Sequence, residues 1–521
     1  MRPAAGWAAL ATLTAAAAAP VVVVLWSVLT PSIDVWRHLW ETRLPAMLWE
    51  TALLVALVVG GALVLGTGLA WLVSAYTFPG RRLLGWLLVT PLAVPGYVLG
   101  FVWLDTLQDP LGARAARSLW LAAAVLILTF YPYVYLFARA AFREQSRLAV
   151  DVARSLGCTP WQAWWRVTLP LARPSLAAGA ALVAMEVLTD VGTVRLFNVS
   201  TVADGVLRVW FGLADRHAAT QLAVLLVGAA VAIIAVERSL RGRARFTQVG
   251  GRARAPEPTR LSGARGLAAL AVGGGVLMLA VGLPVTRLVL WAEEAVRTGQ
   301  DVTVAGGIWF HVTASLWVVG LTTFVCLAAG VLLAVMVKSR GRRAQVFARL
   351  ATIGYAVPGP VVAVGAVVTL AALYRSGLVP PGTFVVGSLA GLVYALSVRF
   401  MAVGYHGIEA SVSKVGPSVS AAARTLGAGL WRTALRVDLP LARAGLAAAA
   451  ALVATDTLKD LPITLLLRPF GFDTLSVWVW QATSEALWVQ AAVPSLAMVV
   501  FGMVPLVVLL VALERGAEVV S

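Results

Sequence analysis

The sequence predicts an all-α polytopic membrane protein of about twelve transmembrane helices, arranged as two parallel six-helix repeats. Three observations predict it. Of 521 residues, 60% are apolar and 12% charged, and the mean hydropathy is +0.87; a soluble domain carries about 45–50% apolar and about 25% charged residues. Twelve apolar runs approach the roughly 20 residues that a spanning helix needs. The third observation is a long internal repeat: residues 155–190 align without gaps on 425–460, matching at 20 of 36 positions.

These figures exclude a soluble multidomain enzyme, a disordered chain and a disulfide-stapled secreted protein. The formal charge of +17 does not point to nucleic acid. The basic residues cluster in short segments between apolar runs, as membrane topology demands, and do not interleave with aromatics along one face. Two cysteines, Cys158 and Cys326, cannot form a disulfide framework. The four histidines (His38, His217, His311, His406) are scattered, so no metal site is expected from ligand spacing. The phosphate-cradling G-x-x-x-x-G-K-[ST] pattern does not occur, so the chain has no nucleotide loop of its own.

The first six runs lie at about 7–30, 51–75, 84–105, 119–138, 174–194 and 217–236. The second six lie at about 266–288, 312–337, 346–371, 383–404, 444–466 and 489–513. The first run follows Met1–Arg2 but is too long for the apolar region of a signal peptide, so a retained first helix is expected. Most Lys and Arg fall in segments that face the cytoplasm if the N-terminus does, which puts both termini on the cytoplasmic side of a bacterial inner membrane. The chain then divides into a first repeat (1–237), a basic cytoplasmic linker (238–265) that touches anionic lipid, and a second repeat (266–521). Six spans per repeat is an even number, so both halves enter from the same side and are parallel, related by an axis along the membrane normal.

The two long inner loops, 139–173 and 405–443, are too polar to span. In the first, Glu144–Leu156 has helix-forming composition and stops at Gly157, a residue suited to a helix C-terminus. Thr159 and Pro160 then supply a cap and a first helical residue. A short helix over Trp161–Thr168 is expected, with Trp161, Trp164 and Trp165 as an aromatic stripe before Leu169-Pro170. Two readings fit those tryptophans: packing on the protein's own helix ends or lipid headgroups, or insertion into a partner.

Asp151-Val152-Ala153-x-x-x-Gly157 followed by Val167-x-Leu169-Pro170 resembles the cytoplasmic loop motif of binding-protein-dependent ABC importer permeases. That motif reads Glu-Ala-Ala, three residues, Gly, nine residues, Ile-x-Leu-Pro. The second copy reads Ala421-Ala422-Ala423-x-x-x-Gly427 with Val437-x-Leu439-Pro440, and Trp431 and Leu435 stand on its short helix. The leading Glu is Asp151 in one copy and Ala421 in the other, and Gly429 stands where the first copy has its Thr cap. The resemblance implies the type I ABC importer permease fold in a fused pair. It implies that each loop seats a coupling helix on a cytoplasmic ATPase dimer, which uses ATP and Mg while this chain binds no cofactor. It also implies an extracytoplasmic solute-binding protein as partner. Lys459-Asp460-Leu461-Pro462 through Thr474-Leu475, and Asp190-Val191-Gly192-Thr193-Val194 in the first half, are similar to the ferric-iron subgroup. Thiamine, sulfate, molybdate, polyamines or phosphonates are the other cargoes such a resemblance allows. An ion-driven secondary transporter also often has two six-span halves, but it gives no reason for two matched loop motifs. An intramembrane enzyme needs a nucleophile–base or metal constellation, and none is visible.

Ionisable residues within a span cost roughly 2.5–3.5 kcal/mol each on insertion scales and usually face the bundle interior. Glu186 and Asp190 in the fifth span have repeat-equivalents in Asp456 and Asp460 of the eleventh. Spacing of four puts each pair on one helix face. Pseudo-symmetry then gathers four acidic groups around a central path, where oxygen ligands suit a hard trivalent cation. The alternative is that Asp190 and Asp460, near the span ends, cap the following segment or pair with Arg195 or Lys459. Pro95-Gly96 and Pro358-Gly359 interrupt the third and ninth spans as kinks or as hinges for gate motion. The aromatic segments 201–217 and 470–488 are expected to form interfacial belts or a surface for the external binding protein.

Overall fold

The computed structural model describes residues 3–30, 33–144, 147–212, 215–241, 258–299, 307–377, 385–413, 415 and 417–518. Most of the basic linker (242–257) lies outside these residues, as do 145–146 of the first long loop and 414 and 416 of the second. The principal helices are α1 (Pro3–Trp26), α2 (Leu44–Ala75), α3 (Gly96–Leu111), α4 (Leu119–Glu144), α5 (Leu169–Thr189) and α6 (Arg216–Arg241). The series continues with α7 (Ala264–Thr298), α8 (Gly307–Arg340), α9 (Gly359–Arg375), α10 (Leu389–Val412), α11 (Arg443–Lys459) and α12 (Trp488–Glu518). Among the described residues β structure is confined to Tyr76–Thr77 paired in parallel with Thr259–Arg260.

Among the described residues nine helices are long and apolar enough to cross a membrane, or up to eleven if each of two bent pairs counts as one span. Each of the twelve apolar runs coincides with one of these or with the shorter apolar helix α9. The protein is thus an all-α polytopic membrane protein.

The third and ninth runs differ from the kinked single helices expected of them. Arg81–Ala93 and α3 meet at an angle of 93°, and Pro95 is the extended residue before α3, with φ −60° and ψ 143°. Pro358 precedes α9 in the same way, with φ −56° and ψ 147°. Each Pro-Gly therefore separates two helices rather than bending one. Proline disfavours helical geometry in the residue before it, so the preceding turn ends there. Its fixed φ and missing N–H are harmless where the next helix starts.

The chain folds into two compact units, neither of which is one continuous half of the sequence. One comprises 1–45, 202–227 and 288–521; within it, α1 packs along α9 and the short helix Arg342–Ala351, while α8, α10, α11 and α12 pack on one another. Pro20 lies inside α1 and cannot donate to the carbonyl of Ala16, four residues back. The Tyr394 hydroxyl of α10 donates to that carbonyl at 2.8 Å, so a neighbouring helix satisfies the group that proline frees. The other unit comprises 46–201 and 228–287. There α4 packs on α5, and Gly66 of α2 comes so close to α4 that a Cβ would stand 2.8 Å from the Tyr131 carbonyl. Helices in a bilayer gain contact by close backbone approach at such small residues, because lipid offers no hydrophobic drive to associate.

Candidate functional site

From the glycine closure through the π turn, the two long loops share one backbone pattern. The helix Arg147–Ser155 ends at Gly157, whose φ is +87°. The Gly157 N–H donates to the Arg154 carbonyl at 3.0 Å and the Cys158 N–H to the Ala153 carbonyl at 3.1 Å, the paired closure of a glycine-terminated helix. In the second loop Gly427 has φ +80°. Its N–H donates to the Arg424 carbonyl at 3.0 Å and that of Ala428 to the Ala423 carbonyl at 3.1 Å. Both loops then re-enter a helix through one widened π turn, Trp164–Thr168 in the first and Ala434–Asp438 in the second. Widened turns of this kind are frequent at functional sites.

Thr159 caps as expected: its hydroxyl accepts from the Gln162 N–H at 3.3 Å, and the Gln162 side chain accepts from the Thr159 N–H at 3.0 Å. The pair forms a reciprocal capping box. Gly429 starts the second helix without a side-chain bond. The helix after Thr159 does not stop at Leu169-Pro170. It continues as α5, because a proline at the second residue of an α-helical stretch costs no donor that the preceding turn needs. In the second copy the helix bends by 82° between Leu441 and Arg443.

The three tryptophans differ in how far the protein itself covers them. Trp164 lies 5.4 Å, ring to ring, from Trp71 of α2. Trp161 stacks on Trp164 at 4.9 Å, yet Trp161 and Trp165 remain 61% and 57% exposed. Asp151 and Leu156 are exposed beside them. The equivalent residues of the second loop are Trp431, Ala434 and Leu435. Trp431 packs on the buried cluster that includes Leu10, Leu333, Tyr405 and Ile408, whereas Leu435 is exposed. Leu169 and Leu439, with Pro170 and Pro440, stand at the base of each loop helix.

The second loop also carries an ion pair that the first cannot form. Asp438 is buried and accepts from the Ser420 hydroxyl at 2.8 Å and from Lys338 Nζ at 3.0 Å, while Lys338 also donates to Ser420 at 2.8 Å. This trio ties the loop to the end of α8. The repeat-equivalent residues of Ser420 and Asp438 are Val150 and Thr168, neither of which carries a charge. Lys338→Met should therefore destabilise the purified protein by about 1–3 kcal/mol, since a buried carboxylate loses a charged hydrogen bond. Thermal unfolding checks it. The double variant Lys338→Met/Asp438→Leu should recover most of the loss; a double variant as unstable as the single would rule out the ion pair as the cause.

The acidic pairs occupy equivalent places in the two units. Asp190 Oδ1 accepts from the N–H of Thr193 at 2.9 Å and of Val194 at 3.1 Å, and Oδ2 accepts from the Thr193 hydroxyl at 2.8 Å. It thereby caps the short helix Gly192–Leu196. Asp460 Oδ1 accepts from the Ile463 N–H at 3.1 Å at the start of Pro462–Leu467. Both carboxylates thus do the capping left open by the sequence. Glu186 and Asp456, one turn earlier, are half-buried, and Asp456 lies 3.0 Å from Lys459. Gly96 joins the first cap: a Cβ there would stand 2.8 Å from Thr193 Oγ1 and 3.3 Å from Asp190 Oδ2. In the second unit α9, which opens at Gly359, packs on Pro462–Leu467.

Sequence reasoning missed Arg399. It lies within the span Leu389–Val412, is buried, and stands 3.8 Å from Asp460. A lone arginine inside an apolar run was the available signal. Among the described residues no group of three or more His, Cys, Asp or Glu is placed to hold a metal ion.

The aromatic segments also divide. In the helix Leu475–Ser484, Trp478 is buried against the His311 ring at 4.4 Å, and His311 Nδ1 lies 2.8 Å from the Asp473 carbonyl. Arg468 pairs with Asp473, and burial lowers its pKa from the usual value. Phe211 and Phe470 are exposed, Trp210 and Trp480 half-buried, and Trp488 lies at the start of α12.

Repeated spans, paired glycine-closed loops and capped breaks at repeat-equivalent positions define a helical membrane protein with an internal repeat. Residues 62–237 match the family model of the binding-protein-dependent transport system inner membrane component. Over 491 residues the chain is 26% identical to the Fe(3+)-transport system permease protein FbpB 2 of Haemophilus influenzae, covering 92% of each. It is 26% identical over 183 residues to the molybdate/tungstate transport system permease protein WtpB of Thermococcus kodakarensis, 35% of this chain and 72% of that one. It is 31% identical over 144 residues to the sulfate transport system permease protein CysT of Escherichia coli, 25% of this chain and 50% of that one. The chain is thus similar to the binding-protein-dependent ABC transporter permeases, with residues 62–237 matching their family model, and it is a multi-pass helical membrane protein.

Proposed function

We propose that this chain is the membrane subunit of an ATP-driven importer that moves ferric iron, handed over by a solute-binding protein, into the cytoplasm by alternating access. Both termini and both long loops face the cytoplasm. The loops, each closed by its left-handed glycine and re-entering through a π turn, seat on the two subunits of a separate ATPase dimer, which binds ATP and Mg and performs the hydrolysis. That twin geometry is the observation that carries the reading: it serves a partner with two equivalent sites. The ATPase can shift the permease between its two conformations only by binding them with different affinity, and the exposed faces of Trp161, Trp165 and Leu435 are where that difference acts. Within each unit the half-buried carboxylate one turn before the capping aspartate, Glu186 before Asp190 and Asp456 before Asp460, favours a cation. Pro95-Gly96 and Pro358-Gly359, set between helices, serve as hinges. The full-length match to a ferric-iron permease supports the cargo.

One observation favours a second cargo. Arg399 beside Asp460 offsets one acidic charge and offers guanidinium donors suited to an oxyanion, and molybdate and sulfate permeases are among the relatives. Uptake by the complex reconstituted with its ATPase and binding protein separates the two. Ferric iron should accumulate, and the double variant Glu186→Ala/Asp456→Ala should reduce its uptake at least about tenfold, the scale of one lost charge interaction, with ATPase activity retained. Accumulation of molybdate or sulfate instead, and its loss in Arg399→Gln, would overturn the iron reading.

A further inference from the structure

We propose that a cleft at the ends of α1, α6 and α9 binds an anionic phospholipid, holding its phosphate by two arginines and its glycerol and first methylenes on an apolar wall. The cleft has a volume of about 700 Å³ and lies within one compact unit. Arg216, His217, Arg375 and Tyr374 supply its polar side, Val23 and Val367 part of its apolar side, and among the described residues no carboxylate lines it. It sits at the ends of the spans Gly6–Leu29 and Arg216–Leu240, the depth at which headgroups lie, whichever leaflet that is.

The polar side is built, not incidental. Gln221 is 3% exposed, and its amide donates to the Thr30 carbonyl at 2.7 Å and the Ser27 carbonyl at 3.2 Å. Its oxygen accepts from Trp36 Nε1 at 2.5 Å. His217 Nε2 lies 3.2 Å from the Thr30 hydroxyl, and the His217 backbone N–H donates to the Asp215 carboxylate at 3.0 Å. These bonds satisfy carbonyls at the end of α1 and fix them to the first turns of α6. Arg216 is thereby held at the cleft, over the Trp210 ring at 5.7 Å, and Arg375 at the end of α9 lines the same cleft. Guanidinium groups match phosphate oxygens with paired donors. A small inorganic anion would leave the valine wall without a partner, and a zwitterionic lipid brings its own cation beside the phosphate and so compensates two arginines less fully than an anionic one. A head-and-tail anion satisfies both.

The test uses the full chain in complex with its ATPase, delipidated in detergent and titrated with phosphatidylglycerol or phosphatidylcholine, with bound lipid counted by native mass spectrometry. The wild type should retain phosphatidylglycerol roughly thirtyfold better, as two arginines near a lipid surface imply. Arg216→Gln/Arg375→Gln should bring the ratio close to one, and Arg216→Lys/Arg375→Lys should restore most of it, with unchanged melting temperatures showing that the unit stays folded. Equal retention of the two lipids by the wild type, or an undiminished preference in the glutamine variant, overturns the proposal. So does displacement of phosphatidylglycerol by millimolar inorganic phosphate or sulfate, which would make the site one for a free oxyanion.

Discussion

Valine in place of Gly157 or Gly427 is expected to lower ATP-dependent uptake at least about tenfold while the chain still reaches the membrane in normal amount. The two glycines sit at φ +87° and +80°, where a β-branched residue costs roughly 1–3 kcal/mol of backbone strain. A Cβ at either position meets nothing within 4 Å, so the effect is conformational and not steric. Relieving the strain means giving up the two carbonyl closures of the preceding helix and re-aiming the π turn with its exposed aromatic or leucine face. Asparagine, which tolerates the left-handed region, should restore most of the uptake. The assay compares substrate accumulation, ATPase stimulation and membrane abundance. Normal uptake by the valine variants would contradict the seating of these loops on an ATPase; loss with asparagine as severe as with valine would contradict the backbone explanation.

The second large effect is expected at Gly365. A Cβ there would lie 2.3 Å from the Pro20 carbonyl oxygen and 2.8 Å from its carbon. Those are backbone atoms of α1 and cannot turn aside. Gly365→Ala therefore requires α1 to move off α9, which pulls the Ala16 carbonyl from Tyr394. Overpacking costs typically about 1–3 kcal/mol, and losing the hydrogen bond to that carbonyl adds about 1–3 more. The melting temperature in detergent should fall sharply, with increased protease sensitivity near α1. Gly320→Ala, where a Cβ meets nothing within 4 Å, should leave both unchanged. Equal melting of the two variants would mean that α1 does not rest on α9.

How much is legible from the chain alone varies with the physics behind each element. The spans are, because hydropathy over about 20 residues is a local property. The glycine closures and the Thr159 cap are, because each is fixed by residues close in sequence. The Pro-Gly segments read as kinks, because a proline announces a missing donor but not whether the helix resumes in line. Lys338 and Ser420 escape such a reading because they are 82 residues apart and meet at Asp438, although aspartate standing where the other copy has Thr168 is a visible anomaly. Arg399 hides inside an apolar run, its partner Asp460 lying far along the chain on another helix end.

By itself the sequence determined that the chain is helical, membrane-embedded and internally repeated, and that each repeat carries one patterned loop. Those properties follow from composition, local propensity and self-similarity. Only the tertiary structure decided which helices share a compact unit: α1 lies with α8 to α12, and most of α7 lies with α2 to α5. An apolar helix shows the bilayer the same hydropathy whatever its neighbour. The choice of neighbour rests on close contacts such as Gly365 against Pro20 and Tyr394 on Ala16, and such complementarity exists only between two surfaces, never in one stretch of chain.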